Sequence, residues 1–167
     1  MKDLPISKIL AQYDTDKVNG HTYGESYDEI FSRFDRNAEL NILEVGTQKG
    51  GSLCAWQDYF PNAHITGVDI VDVVKPEYKR DSINYVLSDI KDWDTPSDFD
   101  IIIDDGSHFL PDVLYVVKHF YPKLKEGGVL VIEDVQDQAW LDLINVPFTV
   151  KDLRGAYDNF LIIIWKS

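Results

Sequence analysis

From Asn41 onward the chain alternates short apolar runs with longer stretches of helical character. That is the pattern of parallel strands buried on both faces and joined by crossovers. The first run, Asn41-Ile42-Leu43-Glu44, leads into a glycine-bearing segment at 46–51, then into an amphipathic stretch at 52–60 that Pro61 ends. Further runs lie at 64–69, 84–87, 100–104 and 129–133. The spacing predicts a helix over 110–123, and the pair Gly127-Gly128 marks a break into the fifth strand. Two more strand-like runs, 148–153 and 160–166, are joined by a connection at 154–159 that suits a hairpin. The prediction is an α/β fold: a seven-stranded, mostly parallel sheet with a C-terminal antiparallel hairpin.

The first 40 residues read differently. A helical pattern at 5–13 gives way to a polar stretch at 14–21, then to an amphipathic segment carrying Tyr23, Tyr27, Ile30, Phe31 and Phe34. Residues 1–40 thus read as a helical cap without a core of its own, and 41–167 as the sheet-bearing core of one domain. The length of 167 residues suits a single core, and 44% hydrophobic with 13% aromatic residues argues against disorder.

With 16 Lys plus Arg against 29 Asp plus Glu, the net charge is −13, and the basic residues are scattered. Such a field repels nucleic acid and anionic membranes and favours a cation or a neutral small molecule. Cys54, the single cysteine, excludes an internal disulfide. The longest apolar run, 160–165, is too short to span a bilayer, and Met1-Lys2-Asp3 begins no signal peptide. The expectation is a cytoplasmic protein.

The strand ends carry the strongest signal. Glu44, Asp69, Asp104 with Asp105, and Glu133 with Asp134 close four of the five runs, and Asp89 stands two residues after Leu87. In parallel sheets the functional groups gather at these carboxyl ends. The loop at 46–51 lets the backbone approach a ligand but lacks the G-x-G-x-x-G spacing that cradles a pyrophosphate. An acid at Glu44 repels phosphate and attracts a cationic amine. Asp69, 25 residues further on, stands where a carboxylate receives two ribose hydroxyls. A nucleoside with a positively charged tail fits both, and S-adenosylmethionine is such a molecule.

The segment Leu43-Glu-Val-Gly-Thr-Gln-Lys-Gly-Gly-Ser52 resembles the first motif of class I S-adenosylmethionine-dependent methyltransferases. Phe99-Asp-Ile-Ile-Ile-Asp-Asp-Gly-Ser-His108 and Glu126-Gly-Gly-Val-Leu-Val-Ile-Glu-Asp134 resemble the metal-dependent sugar O-methyltransferases of the macrocin and mycinamicin type. Thr15-Asp-Lys17, His21, Tyr23 and Tyr27 are similar to that family's polar and aromatic lead-in. The resemblance implies a Rossmann-like class I fold and methyl transfer from S-adenosylmethionine to a hydroxyl of a vicinal diol on a sugar. It implies Mg²⁺ or another divalent cation on Asp105, Glu133 and Asp134, with His108 as general base. It places Glu44, Gly46, Thr47, Asp69, Ile70, Asp89 and Asp104 on the cofactor side. The chemistry agrees, because an alcohol needs a base or a metal before it attacks a sulfonium methyl.

Structural roles compete with these. His108 could cap the helix that follows, Glu133-Asp134 could form a solvated turn, and Trp93 could lie near an adenine or simply pack. The short cap leaves an acceptor wall that is short or borrowed: a partner subunit of a homo-oligomer could supply it, with Tyr23, Tyr27, Phe31 and Phe34 as candidates for the contact surface, and a small or freely accessible acceptor is equally compatible. Two other functions stay open: a nicotinamide-dependent oxidoreductase, disfavoured by the glycine spacing, and a non-catalytic S-adenosylmethionine-binding subunit.

Overall fold

A computed structural model describes residues 4–155 and 159–167. Five strands, β1 (Asn41–Val45), β2 (His64–Asp69), β3 (Ile83–Leu87), β4 (Phe99–Asp104) and β5 (Leu124–Ile132), run parallel. The last two, β6 (Thr149–Asp152) and β7 (Phe160–Trp165), are joined to the sheet by antiparallel pairings, β5 with β7 and β7 with β6. The sheet order is β3-β2-β1-β4-β5-β7-β6, so β7 lies between β5 and β6. This is the architecture the pattern predicts. Residues 156–158 of the expected hairpin connection lie outside the described residues.

Side-chain alternation assigns the two faces. Ile42, Ile101, Ile103, Val129 and Val131 point to one side; Leu43, Val45, Ile102, Leu130 and Ile132 point to the other. The helix α4 (Gly51–Tyr59) and the N-terminal segment cover the first face, with Trp56, Leu53 and Phe60 fully buried. The helix α5 (Leu110–Phe120) covers the second with Val113, Val116, Val117 and Phe120, and its chain runs on into one 3-10 turn, Tyr121–Lys123.

The glycine pair acts differently from a strand start. β5 begins at Leu124, and its pairing with β4 slips between Phe99↔Leu124 and Ile101↔Val129. Gly127 takes φ +77, and a Cβ on Gly128 would stand 2.9 Å from the Asp100 carbonyl, so the pair forms a bulge inside the strand.

The N-terminal segment departs from expectation twice. Its polar stretch contains a helical turn, α2 (Asp16–Asn19), between α1 (Ile6–Leu10) and α3 (Gly24–Phe31), and the Thr15 side chain accepts from the Lys17 N–H at its start. The expected contact surface is also absent: Tyr23, Tyr27 and Phe31 are 0% exposed and Phe34 is half-buried. Tyr27 and Phe31 pack on Trp56 with ring centroids 5.0 and 5.1 Å away. A helical spacing of aromatics marks one apolar face, and here that face meets the sheet-side core, leaving no patch of these aromatics for a second copy. Among the described residues no helix is long and apolar enough to cross a membrane.

Candidate active site

β1 ends on Glu44 and Val45, whose side chains go to opposite faces. Beyond them the chain turns at Gly46, with φ +83, because no side chain fits: a Cβ there would stand 2.0 Å from the Asp105 carbonyl oxygen. The Gly46 N–H donates to the Val68 carbonyl and the Asp105 N–H to the Val45 carbonyl, at 2.8 and 2.9 Å. The ends of β1, β2 and β4 are thus locked together. Asp69 then clamps the loop. Its Oδ2 accepts from the backbone N–H groups of Thr47 at 2.8 Å and Gln48 at 3.0 Å, and Oδ1 accepts from the Val71 N–H at 3.1 Å.

A cavity of about 300 Å³ opens beside this clamp, on the face covered by α5. Val45, Gly46, Asp69, Ile70, Asp89 and Asp104 are among its lining residues. Thr47 stands outside it, its N–H and hydroxyl both turned to Asp69. Trp93 is outside as well, stacked on Phe120 with centroids 6.3 Å apart, so it packs.

Glu44 does not face this cavity. It shares the side of β1 that carries Ile42, and its carboxylate is fully buried, accepting from Ser52 Oγ and Trp56 Nε1, each at 2.7 Å. The expectation that Glu44 meets a cofactor's cationic tail therefore fails on strand alternation. The buried acid that does line the cavity is Asp104, from the opposite side of the sheet. It is 5% exposed, and among the described residues its Oδ2 has no hydrogen-bond partner. Burial pushes its carboxyl up to about 7; a backbone hydrogen bond from Gly106 opposes that rise and the charge of Asp105 adds to it.

Next to the cavity lies a second group. Oxygens of Asp105 and Asp134 and a ring nitrogen of His108 lie within 4.8 Å of one another. His108 Nε2 is 3.8 Å from Asp105 Oδ1 and 3.6 Å from Asp134 Oδ2. His108 and Asp134 take φ of 51 and 53°, and Gln48 in the glycine loop takes 40°. These are the non-glycine residues with left-handed backbone among those described, and all stand at the strand ends. His108 is not the cap of α5: the N-cap position is Phe109, without a side-chain cap bond, and Ser107 braces the helix start by accepting from the Phe109 N–H at 3.3 Å and donating to Asp112 Oδ2 at 2.6 Å.

Glu133 stands behind this group. It is 2% exposed, and its Oε1 accepts from Lys17 Nζ at 2.8 Å and from the Tyr27 hydroxyl. Glu133-Asp134 is thus a buried pair and no solvated turn. The Tyr23 hydroxyl donates to Asp134 Oδ1, which also lies 3.5 Å from His21 Nδ1. Burial raises the Asp134 carboxyl, helped by the charge of Asp105 and opposed by Tyr23, His21 and His108. The cap residues Lys17, His21, Tyr23 and Tyr27 therefore reach the acids of β4 and β5. Sequence spacing assigns them no function; the signal the sequence offers is their likeness to the family's polar and aromatic lead-in, which gives them no role.

Residues 43–132 match the family model described as "Methyltransferase domain". The chain belongs to the methyltransferase family. That membership decides against the oxidoreductase alternative. Within the family, the chain is 30% identical to the 8-demethyl-8-alpha-L-rhamnosyl tetracenomycin-C 2'-O-methyltransferase of Streptomyces olivaceus, over 95% of this chain and 42% of that protein. It is 31% identical to the mycinamicin VI 2''-O-methyltransferase of Micromonospora griseorubida, over 81% of this chain and 37% of that one. The chain thus spans less than half the length of these relatives. The solved MycE methyltransferase of the mycinamycin biosynthetic pathway, in complex with Mg, SAH and mycinamycin VI, has the same fold. It superposes with a TM-score of 0.78 at 23% identity, covering 98% of this chain and 55% of that one.

Two of the three acids expected to hold a divalent cation meet, and Glu133 does not join them: its Oε1 is taken by Lys17 and Tyr27, and His108 stands in the group instead. Asp105 and Asp134 each turn one carboxylate oxygen to a shared space, and hard cations such as Mg²⁺ prefer carboxylate oxygen.

Proposed function

We propose that this methyltransferase domain transfers the methyl group of S-adenosylmethionine to a hydroxyl of a vicinal diol on a sugar, with a divalent cation held by Asp105 and Asp134. The observation that carries the reading is Asp104: a buried carboxylate with a free oxygen in a mostly apolar cavity, one residue from the cation group. Asp104 supplies the partner for the ammonium of the methionine moiety. Asp69 and Asp89 supply acceptors for ribose hydroxyls. Gly46 lets the tail lie against backbone.

On the acceptor side, His108 Nε2 accepts the proton of the attacking hydroxyl. A divalent cation, when bound, supplies the positive charge that lowers the pKa of the acceptor diol. Asp105 and Asp134 fix where that charge sits, and the Tyr23 hydroxyl holds Asp134 in place. The sugar acceptor is supported by the relatives, which are named for O-methylation of a rhamnosyl tetracenomycin and of mycinamicin VI.

Calorimetric titration tests the cofactor half. S-adenosylmethionine should bind saturably, and Asp104→Asn should weaken it about 10- to 100-fold, the scale of a lost charge-assisted hydrogen bond. Tight NADH binding with no S-adenosylmethionine binding would overturn the proposal.

A further inference from the structure

One cap residue touches three strand ends at once. Lys17, on α2, is fully buried, with Nζ 2.7 Å from Asp105 Oδ2, 2.8 Å from Glu133 Oε1 and 3.5 Å from Glu44 Oε1. Burial works against the charge of Lys17, and the neighbouring charges of Asp105, Glu133 and Glu44 outweigh it, so its ammonium is raised well above the usual lysine range. The oxygens of the two outer acids are divided in the same way. Asp105 gives Oδ2 to Lys17 and turns Oδ1 toward His108; Asp134 gives Oδ1 to Tyr23 and turns Oδ2 toward His108. The cap takes one oxygen of each acid and leaves the other to the site.

We propose that Lys17 is a positioning residue for the acceptor half of the site: by fixing Asp105 Oδ2 it aims Oδ1 at the space shared with Asp134 and His108, so that docking of the cap and assembly of the cation site are one event. The inference rests on the divalent-cation reading above. Three accounts of Lys17 predict different signs. An ammonium so near a cation repels it, so a purely electrostatic role means tighter cation binding when Lys17 is removed. A purely structural role means fewer folded molecules with unchanged affinity per folded molecule. Positioning means weaker binding in the folded protein, although the opposing charge is gone.

The test is titration of the full chain with Mn²⁺ alone, comparing wild type, Lys17→Met and Lys17→Met/Glu44→Gln, with the folded fraction read by circular dichroism. The double variant removes one buried cation and one buried anion together. The amide oxygen introduced at position 44 keeps an acceptor for Ser52 or Trp56, which guards against failure of the single variant to fold. Affinity for Mn²⁺ should fall by about 10- to 100-fold, the range for groups that orient metal ligands. Binding of S-adenosylhomocysteine, in the cavity lined by Asp69, Asp89 and Asp104, where Lys17 is not among the lining residues, should change less than about 3-fold, well below that loss. Unchanged or tighter Mn²⁺ binding, or an equal loss of both ligands, overturns the inference. Absence of Mn²⁺ binding to the wild type overturns the cation reading and this inference with it, whereas binding that both variants retain overturns this inference alone.

Discussion

Asp104 is the residue whose burial has the clearest thermodynamic signature. Its carboxyl is raised from an ordinary 3.8 to about 7, so between those values the native state holds a proton that the unfolded chain has released. Its contribution to stability is therefore greatest below about pH 4 and declines as pH rises toward 7. Asp104→Asn should remove that decline. Thermal melts of the ligand-free protein should show the variant stabilised by roughly 2 to 4 kcal/mol at pH 8 and little changed at pH 4. Equal shifts at both values would mean the side chain is not desolvated as described. His108 calls for a different substitution. Its φ of 51° suits asparagine better than alanine, so His108→Asn keeps the backbone while deleting the base. Turnover should fall about 10²- to 10⁴-fold with the melting temperature nearly unchanged, since Ser107 holds the start of α5. Loss of stability with intact turnover would return His108 to a structural role. At this scale the sequence was partly legible. The acids at the strand ends stand out in it, and alternation groups Glu44 with Ile42, but nothing in the sequence says on which face the cavity opens. Lys17 was not legible as part of the site, because a lone lysine in a polar stretch has no period to place it.

Among the elements, the turn after β1 is the most constrained. Gly46 combines φ +83 with an approach to the Asp105 carbonyl that leaves no room for a methyl group. Gly46→Ala should destabilise the fold by roughly 2 to 4 kcal/mol, the scale of a strained backbone plus a displaced neighbour. It should also impair cofactor binding, because the displaced neighbour is the strand end that carries Asp104 and Asp105. Equilibrium unfolding checks the first expectation and calorimetry the second; a variant with wild-type values in both would refute the locked-loop description. The strands were legible because each is buried on both faces and reads as an unbroken apolar run. The bulge in β5 was not, since two glycines announce a change of direction without saying whether pairing resumes beyond them. The turn α2 is hidden from the sequence for a related reason: DKVN has too few apolar positions to show a period, and it is held by the Thr15 cap and the Lys17 ion pairs.

For the whole molecule, the cap and the sheet share one core. Ile6, Ile9, Leu10, Tyr23, Tyr27, Ile30 and Phe31 pack with α4 and one face of the strands. A fragment starting at Asn41 would expose that face and leave Glu133, Glu44 and Asp105 without Lys17. It should unfold without a cooperative transition, whereas the full chain should melt cooperatively; a sharp melt of the fragment would show that the cap is dispensable. The division at the sheet was readable in the sequence as a change of period, but the burial of the cap was not, because amphipathic spacing gives the direction of an apolar face and not its partner. The strand order has one further consequence, for the growing chain on the ribosome. β7 occupies an interior place between β5 and β6 yet follows both in sequence. Until it has been synthesised, the apolar run Val129–Ile132 of β5 presents open hydrogen-bonding groups on the side where Trp165, Ile164, Ile163 and Ile162 later pair. The interval between the making of β5 and the arrival of β7 is thus when a nascent chain is most exposed to pairing with another, and ribosome-stalled chains ending before Phe160 should be captured by chaperones more than longer ones.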